Sequence, residues 1–272
     1  MTEQQSEPGT GLEWFGQEVE AAIRHAGVTQ QALADAVGYG PPYVSKVKSG
    51  QARASVHFAQ GCDTFFNTSG YFVRLLKRVS QAGHPAWFVP YIRLEAEAAC
   101  VEDYSNALLM GMLQTRAYAE ATFRATFPYE TDDQIRTRVE ARLARREILE
   151  REAPPLLWVI LHEATLRTVV GSRAVMADQL RQLATDAGKP RVTLQVLRSH
   201  TGAPASGSPF TLLTPDDGAT VLYTEAIGQG HVTDAAHAVS QARSTFERLR
   251  MSARDSDESR SLVLEVAEEY DR

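Results

Sequence analysis

The sequence predicts an all-α amino-terminal domain of five helices, followed by an α+β carboxy-terminal domain. A length of 272 residues suits two domains rather than one. Apolar residues recur at helical spacing as far as residue 79, and patterns typical of strands follow only after His84-Pro85. We therefore expect a disordered polar arm at residues 1–11, a first domain at 12–82 and a second domain at 83–272.

The composition is that of an ordinary globular protein. Hydrophobic residues make up 43% of the chain and charged residues 23%. The longest apolar run, residues 156–161, is far shorter than the roughly 20 residues of a membrane-spanning helix. The amino terminus, MTEQQSEPG, is polar and acidic, unlike a signal peptide. We expect a cytoplasmic protein with no membrane segment.

Cysteine and histidine spacing indicates neither a metal site nor an active site. Cys62 and Cys100 stand alone, so two buried reduced thiols are expected rather than a disulfide framework. His162-Glu163 begins like the zinc-protease motif HExxH, but Leu166 occupies the position of the second histidine. The nucleophile, phosphate-loop and dinucleotide motifs of common enzymes are also missing from the sequence. We expect no cofactor, no metal and no enzymatic activity.

The first domain begins with an amphipathic helix. Its apolar residues recur every three or four positions, and the pattern ends at Gly27. These residues are Leu12, Phe15, Val19 and Ile23. We expect the helix to pack over the segment that follows it.

Residues 29–50, TQQALADAVGYGPPYVSKVKSG, predict two short helices joined by a glycine turn. Thr29 can cap the first helix, and Gly38 provides the permissive backbone needed where that helix ends. The second helix can begin at Pro41 or Pro42, because the first turn of a helix does not need their missing amide hydrogens. The residues expected to face inward are Leu33, Ala34, Val37, Val44 and Val47. This arrangement is a helix-turn-helix, whose second helix lies in the major groove of DNA.

Two further helices complete the first domain. In residues 55–66 the inward positions are Val56, Ala59, Cys62 or Asp63, and Phe66. In residues 71–79 they are Phe72, Leu75, Leu76 and Val79. One exposed side of the last helix carries Arg74, Lys77 and Arg78. This side is either a solvated face or a surface that contacts phosphates.

Charge is distributed unevenly along the chain. The whole protein has a net charge of −6, but residues 29–78 carry six basic and two acidic side chains, a net charge of +4. Residues 81–272 carry 21 basic and 27 acidic side chains. The positive charge therefore coincides with the helix-turn-helix, as expected for a domain that binds nucleic acid.

The helix-turn-helix segment resembles the repressor-type motif known as the Xre class. The shared residues are Thr29-Gln30, Leu33-Ala34, Gly38, Val44-Ser45-Lys46-Val47 and Gly50. The chain departs from that pattern at Gly40, which replaces the usual serine or threonine, at Pro41-Pro42 and at Lys48, which replaces the usual glutamate. The resemblance implies a DNA-binding domain whose second helix reads bases.

The docking geometry of this motif indicates which side chains meet double-stranded DNA. The residues expected to contact bases are Pro42, Tyr43, Ser45 and Lys46. Those expected to contact the DNA backbone are Gln30, Lys48, Ser49 and Arg53. Lys46 is the best candidate for guanine, whereas Pro42 offers only apolar contact, for example to thymine methyl groups.

The second domain is predicted to open with a helix. Residues 87–104 alternate partly as a strand would, but their alanine and glutamate content favours helix to about residue 98 and strand beyond it. A second helix is expected at residues 118–127. Thr131 and Gln134 form a capping-box signature for a long charged helix that ends near residue 152. Its arginines are either a second nucleic-acid surface or, as we favour, ion-paired with interleaved glutamates.

The rest of the second domain mixes strands and helices. Strands are expected at residues 156–161, 192–196, 210–213 and 221–223, and helices at 172–187, 234–253 and 255–270. Pro215-Asp216-Asp217-Gly218 predicts a hairpin turn. Gly228-Gln229-Gly230 is interpreted as a loop. The aromatic cluster of Trp87, Phe88 and Tyr91 is expected to be core between the domains rather than a ligand cage. Any small-molecule site is expected between the sheet and helices of this domain.

This region resembles a carboxy-terminal domain of unknown function that accompanies Xre-type motifs in an actinobacterial family of WhiJ-like and antitoxin-like regulators. The likeness covers most of residues 84–250 and includes Trp87-Phe88, Pro90-Tyr91, Leu94-Glu95, Leu113-Gln114-Thr115, Arg145, Pro154-Pro155 and Pro209-Phe210-Thr211. Met110 departs from the proline usual there. The family implies transcriptional control, often beside a small partner protein encoded nearby.

The sequence thus predicts a sequence-specific DNA-binding transcriptional regulator, a dimeric repressor whose carboxy-terminal domain senses a small protein partner or ligand. A homodimer is expected because one short recognition helix supplies few base contacts, whereas two read half-sites about one helical turn apart. The alternative is an antitoxin-like protein-interaction module that binds a small neighbouring gene product and binds DNA weakly.

Overall fold

A computed structural model of the chain describes residues 11–52, 54–81 and 84–272. The predicted disordered arm therefore lies outside the described residues except for its last position. Within the described part, no helix combines the length and the apolar character needed to cross a membrane. The predicted fold class is confirmed, since five helices are followed by a region that contains a six-stranded sheet.

The chain divides into two compact units. One comprises Met1–Gly83 and Glu130–Ala141, and the other comprises His84–Tyr129 and Arg142–Arg272. The first unit contains the predicted helix-turn-helix, and the second contains the whole sheet.

The five helices of the first unit follow the predicted pattern. They are α1 (Gly11–Ala26), α2 (Gln30–Val37), α3 (Pro41–Lys48), α4 (Val56–Phe65) and α5 (Tyr71–Gln81). Their buried core includes Phe15, Val19, Ile23, Leu33, Val37, Val44, Val47, Phe72 and Leu75. The expectation for Val56 was wrong, because this first residue of α4 is 60% exposed and Phe58 is buried in its place.

The second unit begins with a 3₁₀ turn at Ala86–Phe88 and then alternates helices and strands. Its elements are α6 (Val89–Glu97), β1 (Ala98–Ser105), α7 (Arg116–Thr126), α8 (Asp132–Ala144), β2 (Leu156–His162), α9 (Ala164–Arg167), α10 (Arg173–Asp186), β3 (Val192–Leu197), β4 (Phe210–Pro215), β5 (Val221–Ala226), β6 (Gln229–Thr233), α11 (Ala236–Ser252) and α12 (Ser256–Asp271). Most of α8, as far as Ala141, is grouped with the first unit. The switch from helix to strand at residue 98 is confirmed.

The six strands form one mixed sheet in the order β3-β2-β1-β4-β5-β6. β1, β2 and β3 run parallel to one another, with Val101 opposite Leu157 and Leu157 opposite Val192. β4, β5 and β6 are antiparallel, and Thr211 in β4 lies opposite Asp103 in β1. The sheet therefore changes from parallel to antiparallel on one side of β1.

Both faces of the sheet carry apolar clusters. Strand side chains such as Val101, Val159 and Leu194 share one cluster with Met176 and Leu180 of α10 and with residues of α12. Alternate side chains point to the other face, as the pleat of a strand requires. There a smaller cluster joins Tyr104, Ile160, Leu197, Phe210 and Leu212 to Phe246 and Leu249 of α11.

The structure corrects two boundaries in the second domain. Gly228-Gln229-Gly230 is not simply a loop, because Gly228 turns the chain with φ +75° and residues Gln229–Thr233 form β6 against β5. The charged helix does not run to residue 152, since α8 ends at Ala144 and a 3₁₀ helix, Arg145–Glu150, follows. The capping box that starts α8 is confirmed, with Thr131 and Gln134 exchanging hydrogen bonds at 2.8 and 3.3 Å.

The residues that mimic a zinc-protease motif have structural roles. Leu166 is fully buried in the core, and Glu163 pairs with Arg167 and Arg198. Cys62 is buried, and burial raises the pKa of its thiol to about 12. Cys100 is only half-buried, which differs from the prediction for that thiol.

Candidate nucleic-acid interface

Local capping fixes the two helices of the motif. The Thr29 hydroxyl accepts a hydrogen bond from the Ala32 N–H at 3.1 Å and caps α2. α2 ends at Gly38 with φ +73°, in the left-handed region that glycine adopts most readily. Of the two predicted starts of α3, Pro41 and Pro42, the structure has Pro41, with Gly40 in extended conformation before it.

The amino-terminal end of α3 offers few backbone donors. Pro41 and Pro42 occupy its first two positions and have no N–H, and Gly40 provides no side-chain cap. The next two N–H groups, of Tyr43 and Val44, bond to the Gly40 carbonyl at 3.0 and 3.4 Å. Free N–H groups at a helix start can bind anions such as DNA phosphates. Because α3 offers few of them, contact of this helix end with DNA would depend mainly on its side chains.

The inner face of α3 is held by tight packing. Val44 and Val47 are buried in the same cluster as Leu33 and Val37 of α2. On its other side, α1 approaches the last turn of α3 so closely that a Cβ added to Gly16 would lie only 2.6 Å from the Val47 carbonyl oxygen. The orientation of α3 is thus determined by both of these helices.

Two of the predicted backbone-contact residues bond within the domain. Lys48 forms an ion pair with Glu20 of α1, and its ammonium group also donates to the Gln30 side chain at 3.0 Å. The amide nitrogen of Gln30 donates to the Pro41 carbonyl at 3.1 Å. These bonds connect α1, α2 and α3, so both side chains would approach DNA already oriented.

Tyr43 lies half-buried against neighbouring rings. Its ring stacks on Tyr39, with centroids 4.5 Å apart, and meets the edge of Phe58 at 5.6 Å. Its hydroxyl oxygen accepts a hydrogen bond from the Ser55 N–H at 3.0 Å, and Tyr39 bonds to the Ser55 hydroxyl at 2.6 Å. The sequence prediction treated Tyr43 as an outward-facing residue, whereas these contacts direct it toward α4.

The remaining predicted residues form an exposed stripe on α3 and the residue after it. Pro42, Ser45, Lys46 and Ser49 are all exposed, and their spacing of three, four and seven places them on one side of a helix. The Ser49 hydroxyl donates to the Lys46 carbonyl at 3.2 Å. The ammonium group of Lys46 makes no hydrogen bond or ion pair with any described residue. Arg53 lies outside the described residues.

Residues that the sequence prediction missed support this stripe. Lys48 is oriented by Glu20, and Tyr43 is oriented by Tyr39 and Ser55. None of these three supporting residues belongs to the motif pattern. The sequence held one usable signal for the role of Tyr39, because an aromatic residue in a turn between two helices indicates that its ring packs against them. Glu20 had none, because it lies 28 positions from its partner.

Comparisons with known proteins identified two family models that match this chain. A family model described as Domain of unknown function (DUF5753) matches residues 88–265, and one described as Helix-turn-helix matches residues 19–72. The second match fits the Xre-type resemblance and supports a DNA-binding transcription regulator, a class that is not typically enzymatic. Searches of curated proteins and of solved structures gave no match.

Proposed function

Since the chain belongs to the family defined by the domain of unknown function DUF5753, which here follows a helix-turn-helix, we propose that it is a sequence-specific transcriptional regulator. The observation that carries this proposal is the exposed stripe of Pro42, Ser45, Lys46 and Ser49. Within it, Lys46 presents an ammonium group to solvent from the helix that enters the major groove in such motifs. A cytoplasmic location belongs to the same proposal.

In this proposal Lys46 reads guanine, while Ser45 and Pro42 contact neighbouring bases. Tyr43 supports the helix and reaches bases only at its edge, given its contacts with Tyr39 and Ser55. Gln30, Lys48 and Ser49 contact the DNA backbone, which positions α3 without reading sequence. Arg53 would add a further phosphate contact.

The test compares two lysines on the same helix. Lys46→Ala should weaken binding to the cognate site by roughly 1–3 kcal/mol and relax specificity at one base position. Lys48→Ala should weaken binding to cognate and scrambled DNA alike, because a phosphate contact carries no sequence information. Fluorescence anisotropy on a site selected from random DNA measures both effects. Equal losses for the two variants on both DNAs would contradict base reading by Lys46.

We further propose that the regulator is a homodimeric repressor, because two recognition helices are needed to read a site of useful length. Its second domain would sense a small protein partner encoded nearby, or a ligand. Light scattering gives the mass of the free protein, and footprinting shows whether two half-sites lie about one helical turn apart. A monomer that protects a single half-site would overturn the dimer.

A second candidate function is an antitoxin-like module that binds a small neighbouring gene product and binds DNA weakly. The observation that favours it is the start of α3, where two prolines remove backbone donors and Tyr43 faces α4. Size-exclusion chromatography with the neighbouring gene product, with and without promoter DNA at low salt, separates the two functions. A stable protein complex without any DNA complex would support the module.

A further inference from the structure

A cavity of about 250 Å³ opens at the carboxyl end of β1, inside the second unit. β1 pairs in parallel with β2 on one side and antiparallel with β4 on the other, so the pairing of neighbouring strands changes from parallel to antiparallel at β1. In open, mostly parallel α/β sheets, ligands bind outside the carboxyl ends of strands where the strand order reverses, and the order β3-β2-β1-β4 reverses at β1. The residues that line the cavity all belong to the second unit.

The floor of the cavity contains a buried carboxylate that lacks a cationic partner. Asp103 accepts hydrogen bonds from the Ser105 hydroxyl at 2.6 Å and the Thr211 hydroxyl at 2.9 Å, one on each oxygen. Each carboxylate oxygen can accept a second bond. No lysine or arginine in the described part of the chain forms an ion pair with Asp103. A buried charge is normally paired, so this one has capacity for a ligand.

The two guanidinium groups on the cavity wall already have partners. Arg145 forms a two-bond ion pair with buried Glu95 at 2.8 and 2.7 Å and lies over the rings of Phe88 and Tyr91. Arg142 donates to Gln114 at 2.7 Å and packs on the Phe123 ring at 4.0 Å. Both guanidinium groups are therefore held in place by residues of the second unit.

The wall beside Asp103 is aromatic and apolar. Tyr91 and Tyr223 lie with ring centroids 4.2 Å apart, and Phe88 stacks on Tyr91 at 5.0 Å. Leu108 adds an aliphatic side chain to the lining. At the edge of the cavity, exposed Glu225 accepts a hydrogen bond from the Tyr223 hydroxyl at 2.6 Å. This combination of carboxylates and apolar surface suits a ligand with a positive end and a hydrocarbon body.

We propose that this cavity binds a small organic cation, an alkyl- or arylammonium whose N–H groups donate to Asp103 and whose carbon skeleton lies against the Tyr91 and Tyr223 wall. The volume is below the roughly 300–1,000 Å³ typical of drug-sized ligands, which indicates a smaller molecule. The inference rests on the proposed role of the second domain as the sensing half and names the class of ligand it would sense.

The protonation of Asp103 is consistent with this ligand class. The pKa of Asp103 is raised to about 6, mainly by burial and to a smaller extent by Glu95, although the hydrogen bonds from Ser105 and Thr211 and the charge of Arg145 act in the opposite direction. An ammonium group next to the carboxylate favours its ionised form. Binding should therefore weaken as the pH falls below about 6, where Asp103 becomes protonated.

The experiment uses the full-length protein without DNA and phenethylammonium as the probe, with 2-phenylethanol as its neutral analogue. Saturation-transfer NMR and calorimetry at pH 7.5 measure binding to the wild type and to three variants. Asp103→Asn keeps the shape of the side chain but removes its charge, and should weaken phenethylammonium binding by at least about tenfold. Glu102→Gln removes a carboxylate from the same strand on the opposite face, and should leave binding unchanged.

Leu108→Trp adds bulk to the lining and should also reduce binding, without altering charge. It tests the cavity independently if Asp103→Asn misfolds, which circular dichroism would reveal. The proposal would be overturned if the wild type did not bind phenethylammonium at about 10 mM. A dissociation constant above that concentration corresponds to a binding free energy of less than about 3 kcal/mol. Equal binding of the alcohol and the ammonium, or equal loss in Glu102→Gln and Asp103→Asn, would also overturn the proposal. Such a failure would leave the DNA-binding proposal untouched, because operator affinity is measured separately.

Discussion

Asp63 connects α4 to α5 through two hydrogen bonds and accepts a third from the loop between these helices. Its carboxylate accepts from the Thr68 hydroxyl at 2.5 Å and from the backbone N–H groups of Phe72 and Val73 at 2.9 and 3.0 Å. The two N–H groups belong to the first turn of α5, where no partner is available within the helix. Asp63 therefore caps α5 from the preceding helix, a role that helical spacing alone did not indicate.

Asp63→Ala should lower the free energy of unfolding by about 1–3 kcal/mol, because it leaves two backbone donors of a buried helix start without their acceptor. The matched control is Asp35→Ala, which removes an exposed carboxylate from α2 and should change stability by less than about 0.5 kcal/mol. Urea denaturation of both variants measures the difference. Similar values for the two aspartates would show that the Asp63 bonds do not stabilise the unit.

Asp103 should make stability depend on pH in the direction opposite to most aspartates. Its folded-state pKa of about 6 exceeds the value of about 3.9 expected when unfolded, because burial disfavours the charged form. Between about pH 4 and pH 6, Asp103 therefore keeps a proton in the folded state that it has largely lost in the unfolded state. Stability from this group is greatest below about pH 4, falls as the pH rises to about 6 and stays low above it.

Asp103→Asn should consequently stabilise the protein at pH 7 by up to about 3 kcal/mol, and the gain should disappear near pH 4. Thermal melts across this range measure it, with Asp216→Asn in the exposed β4–β5 turn as the control. Glu95 and Arg145 face the same region and are kept in both variants. A gain that is independent of pH would mean that the titration of Asp103 is not its cause.

At the scale of whole elements, the position of α3 depends on its contact with α1. The contact is possible because Gly16 has no side chain: a Cβ there would lie 2.6 Å from the Val47 carbonyl oxygen and closer still to that of Lys48. The ion pair between Glu20 and Lys48 joins the same two helices. Helix α1 thus helps to fix the orientation of the exposed stripe on α3, although no residue of the stripe belongs to α1.

Gly16→Ala should destabilise the first unit by about 1–3 kcal/mol, since the added methyl group meets backbone rather than a movable side chain. Alanine favours an isolated helix over glycine by about 1 kcal/mol, so a gain in stability would be expected if the contact were unimportant. Gln17→Ala, at the neighbouring exposed position, is the control. Chemical denaturation and DNA affinity should both respond to Gly16→Ala, because α3 must move to relieve the overlap.

Element boundaries were predictable where local signals mark them. The cap at Thr29, the end of α2 at Gly38 and the start of α3 within Pro41-Pro42 are confirmed, because each signal acts within its own turn of the chain. The end of α3 was placed less well, since the helix ends at Lys48 rather than continuing to Gly50. β6 was missed because its glycine-containing sequence carries no apolar alternation, and its strand conformation depends on pairing with β5. α8 ends early where Arg145 turns inward to meet Glu95, a partner 50 positions away.

At the scale of the whole molecule, positive charge is concentrated around the helix-turn-helix. Residues 29–78 carry a net charge of +4 within a chain of net charge −6. On α5, Arg74, Lys77 and Arg78 are exposed, and Arg74 donates to the Ser69 carbonyl. Basic side chains on α5 are able to contact DNA phosphates, and the salt dependence of DNA affinity measures how many such contacts form.

Lys77→Ala should therefore reduce the slope of log affinity against log salt by about one for each protomer bound, with equal effects on cognate and scrambled DNA. Gln60→Ala, at an exposed neutral position of α4, is the control and should leave the slope unchanged. Titrations at several salt concentrations give the slope directly. An unchanged slope for Lys77→Ala would identify this part of α5 as a solvated face.

The sequence alone determined the helix-turn-helix, the two-domain fold class and the inward residues of most elements. Helical period, caps and glycine turns are interactions within a few residues, so they can be recognised without the fold. Only the tertiary structure decided that Tyr43 turns toward α4, that Lys48 pairs with Glu20 and that Asp103 faces a cavity beside Tyr223. These features join residues from 12 to more than 100 positions apart, and no local pattern specifies which distant groups will meet.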